Sequence, residues 1–112
     1  MITFAQNLSN MKSISALEVS KNRDAYFILD IRERYEYEFV NIQATNIPMA
    51  EVCSRLQELP KDKPVVLMCK SGNRASALAN LLIVDYNFSN VLIMEGGITS
   101  WCEYVDQTLI LE

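Results

Sequence analysis

Short, nearly continuous apolar runs recur along the chain and alternate with longer amphipathic segments. The runs Tyr26–Asp30 (YFILD), Val65–Cys69 (VVLMC) and Val91–Met94 (VLIM) have the length and composition of strands buried on both faces of a parallel sheet. Weaker strand patterns near Lys12–Ile14 and Thr45–Ile47 would bring the sheet to about five strands, a common size.

Segments with helical periodicity lie between these runs. Ser15 is a candidate N-cap, and Glu18 three residues later completes a capping box. Apolar residues share one helical face over residues 49–59, and others do so over residues 75–86 and 98–105. The pattern therefore predicts at least four helices distributed between the strands.

Strands that alternate with helices predict an α/β fold, with a mainly parallel sheet of about five strands and helices on both faces. We expect a single domain over residues 11–112, preceded by an N-terminal extension at residues 1–10. Ligands of such sheets bind outside the carboxyl ends of the strands. Asp30 and Cys69 both end predicted strands on that side.

Composition narrows the possible functions. The net charge of −4, from 10 basic and 14 acidic side chains, argues against a nucleic-acid-binding protein. No apolar run approaches the roughly 20 residues of a membrane span, and the N-terminus does not resemble a signal peptide.

Three cysteines without a CxxC pair indicate reduced thiols, and we expect a cytoplasmic protein. Histidine is absent, which excludes a Cys–His pair and argues against a zinc site, and no cofactor is expected.

The most informative stretch is MCKSGNRA, which joins a buried strand to a helical segment. Cys69 ends the strand, and Lys70, Ser71, Gly72, Asn73 and Arg74 follow before the helical pattern begins. Gly72 permits the backbone angles of a tight turn, whose N–H groups form an anion-binding concavity at the start of a helix. Helix N-termini and neighbouring cations favour a thiolate, which is the nucleophilic form of cysteine.

This loop resembles the active-site loop of the rhodanese family of sulfurtransferases. LDIRERYEYEF (residues 29–39) is similar to the first signature of that family, NIP (residues 46–48) to the segment that follows, and GGITSW (residues 96–101) to its closing signature. The order and spacing of the four motifs agree with the family from about Ser13 to Val105, which is most of the chain.

The resemblance implies a mechanism. Cys69 would attack the outer sulfur of an anionic donor such as thiosulfate and form a persulfide held by the N–H groups of residues 70–74. A thiol or cyanide acceptor would then remove the sulfur, and a sulfur-relay protein could be a partner. Lys70 and Arg74 would attract the donor, Arg74 would also anchor the loop, and Asp30 and Arg32 would have supporting roles.

Two departures leave the preferred donor open. The Gly-His pair usual in the family is replaced in the stretch Val40–Pro48, where one residue is also missing. The usual Pro and Trp after the first signature are Arg34 and Tyr35. In the family these positions form one wall near the pocket.

Other interpretations remain at this point. Cysteine phosphatases and arsenate reductases place five residues between Cys and Arg, whereas four separate Cys69 from Arg74, as in sulfur-transferring members of the family. A non-catalytic rhodanese-like binding module is the second alternative.

Cys53 and Cys102 lie on apolar helix faces and are predicted to fill the core, as is Trp101. Glu33, Glu36 and Glu38 are predicted to form a solvated helix face.

Overall fold

Five parallel strands form the centre of the molecule. The computed structural model describes residues 11–111, so the predicted extension at residues 1–10 lies outside the described residues. The strands pair in the order β1-β5-β4-β2-β3, every neighbouring pair being parallel. The predicted α/β fold is therefore confirmed, with these strand bounds: β1 Lys12–Ile14, β2 Phe27–Asp30, β3 Thr45–Asn46, β4 Val65–Met68 and β5 Val91–Met94.

The helices connect successive strands. Ser15 accepts a hydrogen bond from the Glu18 N–H at 3.1 Å and so caps the first of them, as predicted. No helix within residues 11–111 is long and apolar enough to cross a membrane. The described helices are α1 Ala16–Lys21, α2 Arg34–Phe39, α3 Met49–Val52, α4 Asn73–Tyr86 and α5 Gly97–Tyr104, with 3-10 turns at Arg23–Ala25 and Leu56–Glu58.

The sheet separates two hydrophobic cores, because successive side chains of a strand point to opposite faces. Leu67 of β4 packs with Leu78 of α4 in one cluster, which we call the α4-side core. Its sequence neighbour Val66 packs with Val19 of α1 and Trp101 of α5 in the other, which we call the α5-side core. The near-continuous apolar runs of the sequence are thus explained by burial on both faces.

The prediction of a single helix over residues 49–59 is wrong about its length. The α-helix α3 ends at Val52, and a separate 3-10 turn covers Leu56–Glu58. The Ser54 hydroxyl donates to the Glu51 carbonyl at 2.9 Å. The N–H groups of Ser54 and Arg55 donate to the carbonyls three residues earlier, those of Glu51 and Val52, instead of four residues earlier as in an α-helix. Serine side chains compete with the backbone in this way, and an apolar pattern alone does not reveal the break.

We expect Leu67→Ala to destabilise the protein strongly. Leu67 lies in the central strand with no exposed surface, so truncation leaves a cavity in a packed core. The free energy of unfolding, measured by urea titration, should fall by about 2–5 kcal/mol. Leu17→Ala on α1 is the matched control, because the Leu17 side chain is 46% exposed. That variant should lose less than about 0.5 kcal/mol, and equal losses would contradict the described packing.

Candidate active site

Cys69 follows the central strand β4 and lies at the carboxyl edge of the sheet. Its side chain is buried, and its Sγ accepts hydrogen bonds from the N–H groups of Gly72 at 3.0 Å and Ala75 at 3.4 Å. Gly72 has φ of +108°, a conformation that glycine adopts readily, and it turns the chain so that α4 begins at Asn73. Both donors favour negative charge on the sulfur, so the geometry suits a thiolate.

The N-terminus of α5 holds the opposite side of this turn. The Ile98 N–H donates to the Cys69 carbonyl at 2.8 Å. The Thr99 N–H and hydroxyl both donate to the Lys70 carbonyl, at 3.1 and 2.8 Å. A helix N-terminus carries unsatisfied N–H groups, and here two loop carbonyls satisfy them. The orientation of residues 69–74, which we call the Cys69 loop, is therefore fixed by α5.

Gly97 permits this close contact. A Cβ atom at Gly97 would lie 2.2 Å from the Cys69 carbonyl oxygen and 2.6 Å from that of Lys70, and its φ is +58°. The predicted turn and close-packing role of Gly96-Gly97 is thus confirmed, and the partner of the packing is the Cys69 loop itself.

Arg74 is held by a carboxylate of α2. Its Nη1 and Nη2 donate to the Glu36 Oε1 and Oε2 at 2.8 and 3.1 Å. The Glu36 carboxylate raises the pKa of the Arg74 guanidinium, and the nearby negative charges of Cys69 and Asp30 add to the effect. The prediction of a solvated face holds for Glu33 and Glu38, which are exposed, but is wrong for Glu36, because this ion pair covers most of its side chain.

Asp30 and Arg32 form a buried ion pair at the end of β2. The closest of their contacts, from Arg32 Nη2 to Asp30 Oδ2, is 2.7 Å, and Arg32 also donates to the Val40 carbonyl at 2.8 Å. Asn46 donates to the carbonyls of Asp30 and Arg32 at 2.9 and 3.0 Å. The predicted network at the strand ends is present, and it fixes the chain that leads into α2.

The remaining loop residues face two sides. Lys70 is exposed and lines a small pocket beside the Cys69 loop, which we call the Lys70 pocket. Ser71, Gly72 and Asn73 line a groove behind the loop, towards β1 and β5. The Lys70 pocket is lined by Arg32, Glu36, Phe39, Val40, Lys70 and Leu111, and Cys69 is not among its lining residues.

Sequence reasoning did not assign a role at this edge of the sheet to four residues. Glu36, Asn46 and Thr99 act through hydrogen bonds to groups that are between 14 and 38 positions away in the chain. Leu111 lines a small pocket beside Lys70 from the C-terminal segment. Glu36, Asn46 and Thr99 each lie within one of the three motifs at residues 29–39, 46–48 and 96–101, but the motifs did not indicate their hydrogen-bond partners.

The other two cysteines lie away from the loop. Cys53 packs against the α4-side core and Cys102 against the α5-side core, as predicted, although both remain partly exposed. Burial raises the pKa of the Cys102 thiol, and the Asp106 carboxylate raises it further.

Trp101 is buried, as predicted, and the Arg23 guanidinium lies 5.5 Å from its ring centre. Residues 11–111 contain no cluster of metal-ligating side chains.

Comparison with known proteins decides the family. The sequence profile of the Rhodanese-like domain matches residues 14–104. The chain belongs to this family. The rhodanese-related protein of Thermoplasma volcanium has the same fold, with a TM-score of 0.73 and 35% identity, over 90% of this chain and 99% of that one. The resemblance inferred from the four motifs is confirmed.

Curated relatives of this rhodanese-like chain are sulfurtransferases. It is 30% identical to the adenylyltransferase and sulfurtransferase UBA4 of Meyerozyma guilliermondii, over 91% of this chain and 26% of that protein. It is 31% identical to the probable adenylyltransferase/sulfurtransferase MoeZ of Mycobacterium tuberculosis, over 75% of this chain and 22% of that protein. The chain thus spans about a quarter of the length of these relatives. Membership of the rhodanese-like family, together with these relatives, supports the assignment of the chain as a sulfurtransferase domain.

We expect Gly97→Ala to cost more stability than Gly96→Ala. Both glycines have positive φ, so both substitutions strain the backbone by about 1–2 kcal/mol. At Gly96 the new Cβ lies 1.8 Å from the Ser100 Oγ, which can rotate away, and 2.9 Å from the Ser100 Cβ, which needs only a small shift. At Gly97 it lies 2.2 Å from the Cys69 carbonyl oxygen, a backbone atom that is held in place. Urea unfolding should show a loss larger by about 1 kcal/mol or more for Gly97→Ala. Equal losses would contradict the close contact between α5 and the loop.

The ion pair between Glu36 and Arg74 should make stability depend on pH. The hydrogen bonds from Arg74 lower the pKa of the Glu36 carboxyl below its ordinary value of 4.5. Because the pKa is lower in the folded protein, the pair stabilises it above pH 4.5, and this contribution disappears as the pH falls through the folded-state pKa.

The unfolding free energies of wild type and Glu36→Gln, measured from pH 7 to pH 3, should therefore differ by about 1 kcal/mol at neutral pH and converge in acid. Glu38→Gln is the control, since Glu38 is exposed on the same helix. A constant difference between wild type and Glu36→Gln across the whole range would argue against the ion pair.

Proposed function

We propose that this chain transfers sulfane sulfur through a persulfide on Cys69. The sulfur comes from a small anionic donor, of which thiosulfate is the simplest, and passes to a thiol or cyanide acceptor. The observation that supports this proposal is the contact of Cys69 Sγ with two backbone N–H groups at the start of a helix. Fixed donors of this kind stabilise negative charge on the sulfur without a histidine.

The donor step conserves charge and atoms. The Cys69 thiolate attacks the outer sulfur of thiosulfate, an S–S bond forms to Cys69, and the bond to the inner sulfur breaks with its electron pair leaving on sulfite. The persulfide anion is then positioned near the N-terminal N–H groups of α4. An acceptor nucleophile attacks the outer sulfur, and the Cys69 thiolate is regenerated, as in thiol–disulfide exchange.

The size of the loop favours sulfur transfer over phosphate chemistry. Four residues separate Cys69 from Arg74, and the Arg74 guanidinium is engaged by Glu36. A phosphatase requires a loop wide enough to surround a phosphate group, with the arginine directed at the phosphate oxygens. The tight turn at Gly72 brings the loop N–H groups to the sulfur instead.

A protein that delivers or receives sulfur is the partner we propose beside small molecules. The names of the curated relatives join a sulfurtransferase to an adenylyltransferase, and this chain matches about a quarter of each. Lys70 and Phe39 are exposed beside the Cys69 loop, and a partner could contact them there.

We expect wild-type protein incubated with thiosulfate to gain the mass of one sulfur atom, measured by intact-protein mass spectrometry. Cyanide should remove the added mass. Cys69→Ser should show no gain, whereas Cys53→Ser and Cys102→Ser, which keep the loop thiol, should behave as wild type does.

A gain that persists in Cys69→Ser would assign the chemistry to another thiol. If neither thiosulfate nor a mercapto-acid such as 3-mercaptopyruvate adds sulfur to the wild type, a non-catalytic binding module becomes the better interpretation. Release of phosphate from a generic aryl phosphate, lost in Cys69→Ser, would revive the phosphatase interpretation.

A further inference from the structure

Two carbonyl groups of the Cys69 loop each accept two hydrogen bonds from a single residue. The Lys70 carbonyl accepts from the N–H and the hydroxyl of Thr99, at 3.1 and 2.8 Å. The Gly72 carbonyl accepts from the N–H and the hydroxyl of Ser76, both at 3.0 Å. In both cases the N–H alone would satisfy the carbonyl, so the hydroxyl adds a second bond to a group that is already paired.

Stability gains little from these two hydroxyl bonds. The Ser76 hydroxyl bonds to the carbonyl four residues earlier, an arrangement that slightly destabilises a helix. Thr99 is exposed, so its hydroxyl exchanges a hydrogen bond to water for the one to the loop, at a small net gain. The consequence of the two bonds therefore has to be sought in the loop that receives them.

Each doubly bonded carbonyl belongs to a peptide group whose N–H points the opposite way. These are the N–H groups of Ser71 and Asn73, and neither donates to another group of residues 11–111. The Ser71 N–H points away from α5, into the concavity of the loop. The Asn73 N–H is the first of α4 and points out of the start of that helix. Both N–H groups thus remain for an acceptor that enters the loop.

The position of these N–H groups places them close to the reacting sulfur. They flank Gly72, whose own N–H lies 3.0 Å from Cys69 Sγ, and Sγ also accepts from α4 at Ala75. A sulfur atom bonded to Sγ would lie about 2 Å beyond it. The outer sulfur of a persulfide is therefore the expected acceptor for the N–H groups of Ser71 and Asn73.

The hydroxyl bonds also make these N–H groups stronger donors. A carbonyl that accepts a hydrogen bond draws electron density from its amide nitrogen, and bonds linked in this way strengthen one another by about 10–30% each. The two N–H groups that bind Sγ itself belong to other peptide groups, whose carbonyls neither hydroxyl contacts. The effect should therefore act on charge at the outer sulfur and leave the Cys69 thiolate nearly unchanged.

We propose that Thr99 and Ser76 are positioning residues for the sulfur that Cys69 transfers: their hydroxyls orient and strengthen the loop N–H groups that bind the outer sulfur of the persulfide. This inference rests on the proposed function. In the donor step a thiolate with one negative charge and thiosulfate with two give a persulfide with one and sulfite with two. The charge of the product lies on the outer sulfur, so the hydroxyls stabilise the persulfide relative to the thiolate.

The test is the equilibrium between thiolate and persulfide, because sulfite reverses the donor step. Thr99→Val and Ser76→Ala each delete a hydroxyl and keep the N–H of the same residue. The persulfide fraction is measured by intact-protein mass spectrometry at fixed thiosulfate and increasing sulfite. The sulfite-to-thiosulfate ratio at half conversion should fall about two- to five-fold in each variant. The two factors should multiply in the double variant, since the hydroxyls act on different peptide groups.

Three controls separate this role from a purely structural one. Thr99→Ser keeps the hydroxyl and should restore the wild-type ratio. Ser100→Ala removes a hydroxyl from the next position of α5, which makes no bond to the loop within residues 11–111, and should leave the ratio unchanged. The rate at which iodoacetamide alkylates Cys69 should stay within about two-fold of wild type in Thr99→Val and Ser76→Ala. A change in alkylation as large as the change in the ratio would indicate a distorted loop and overturn the inference.

The outcomes also separate this inference from the proposed function. A wild-type persulfide with an unchanged ratio in both variants overturns the inference alone. Absence of a persulfide with thiosulfate and with a mercapto-acid overturns the proposed function and the inference with it. If only the mercapto-acid loads Cys69, the rate of loading replaces the ratio and should fall by a similar factor. If one variant does not fold, the other decides, because each hydroxyl acts on its own peptide group.

Discussion

The candidate active site depends on the hydrogen bonds that α5 donates to the carbonyls of Cys69 and Lys70. In a trans peptide the C=O and the following N–H point in opposite directions. When Ile98 and Thr99 hold these two carbonyl oxygens, the N–H groups of Lys70 and Ser71 must face away from α5. The concavity of the Cys69 loop is thus imposed from outside the loop, and glycine at position 97 allows the backbones to come close enough.

The sheet determines which parts of the chain can cooperate in this way. Because β4 lies in the middle, with β2 and β5 on either side, the chain segments after all three strands meet at one edge. The segment after β4 carries Cys69, the segment after β5 supplies the α5 amides, and the segment after β2 supplies the ion pair of Asp30 and Arg32 and then Glu36. Each contributes one part of the candidate site: the cysteine, the hydrogen bonds that orient its loop, and the carboxylate that pairs with Arg74.

Much of this could be predicted from the sequence, because burial and turn chemistry leave local patterns. Strands β4 and β5 are apolar over their whole length, β2 is apolar up to Asp30, and Gly72 marks the turn. Two kinds of feature could not be predicted: a contact between residues far apart in the sequence, and a helix end that depends on a single hydroxyl group. The partner of Arg74 is 38 positions away, and a glutamate on a short helix gives no sign of whether it meets solvent or a guanidinium. The break after Val52 depends on the Ser54 hydroxyl, which leaves the apolar periodicity unchanged.

The contact between α5 and the Cys69 loop also joins the two hydrophobic cores. Cys69 belongs to the core on one face of the sheet, whereas Ile98, which holds its carbonyl, belongs to the core on the other. A repacking of either core would therefore displace one partner of a hydrogen bond that shapes the Cys69 loop. In an engineering campaign, thermostability and turnover would be coupled at these core positions, and the surface at the amino ends of the strands would be the place to change one without the other.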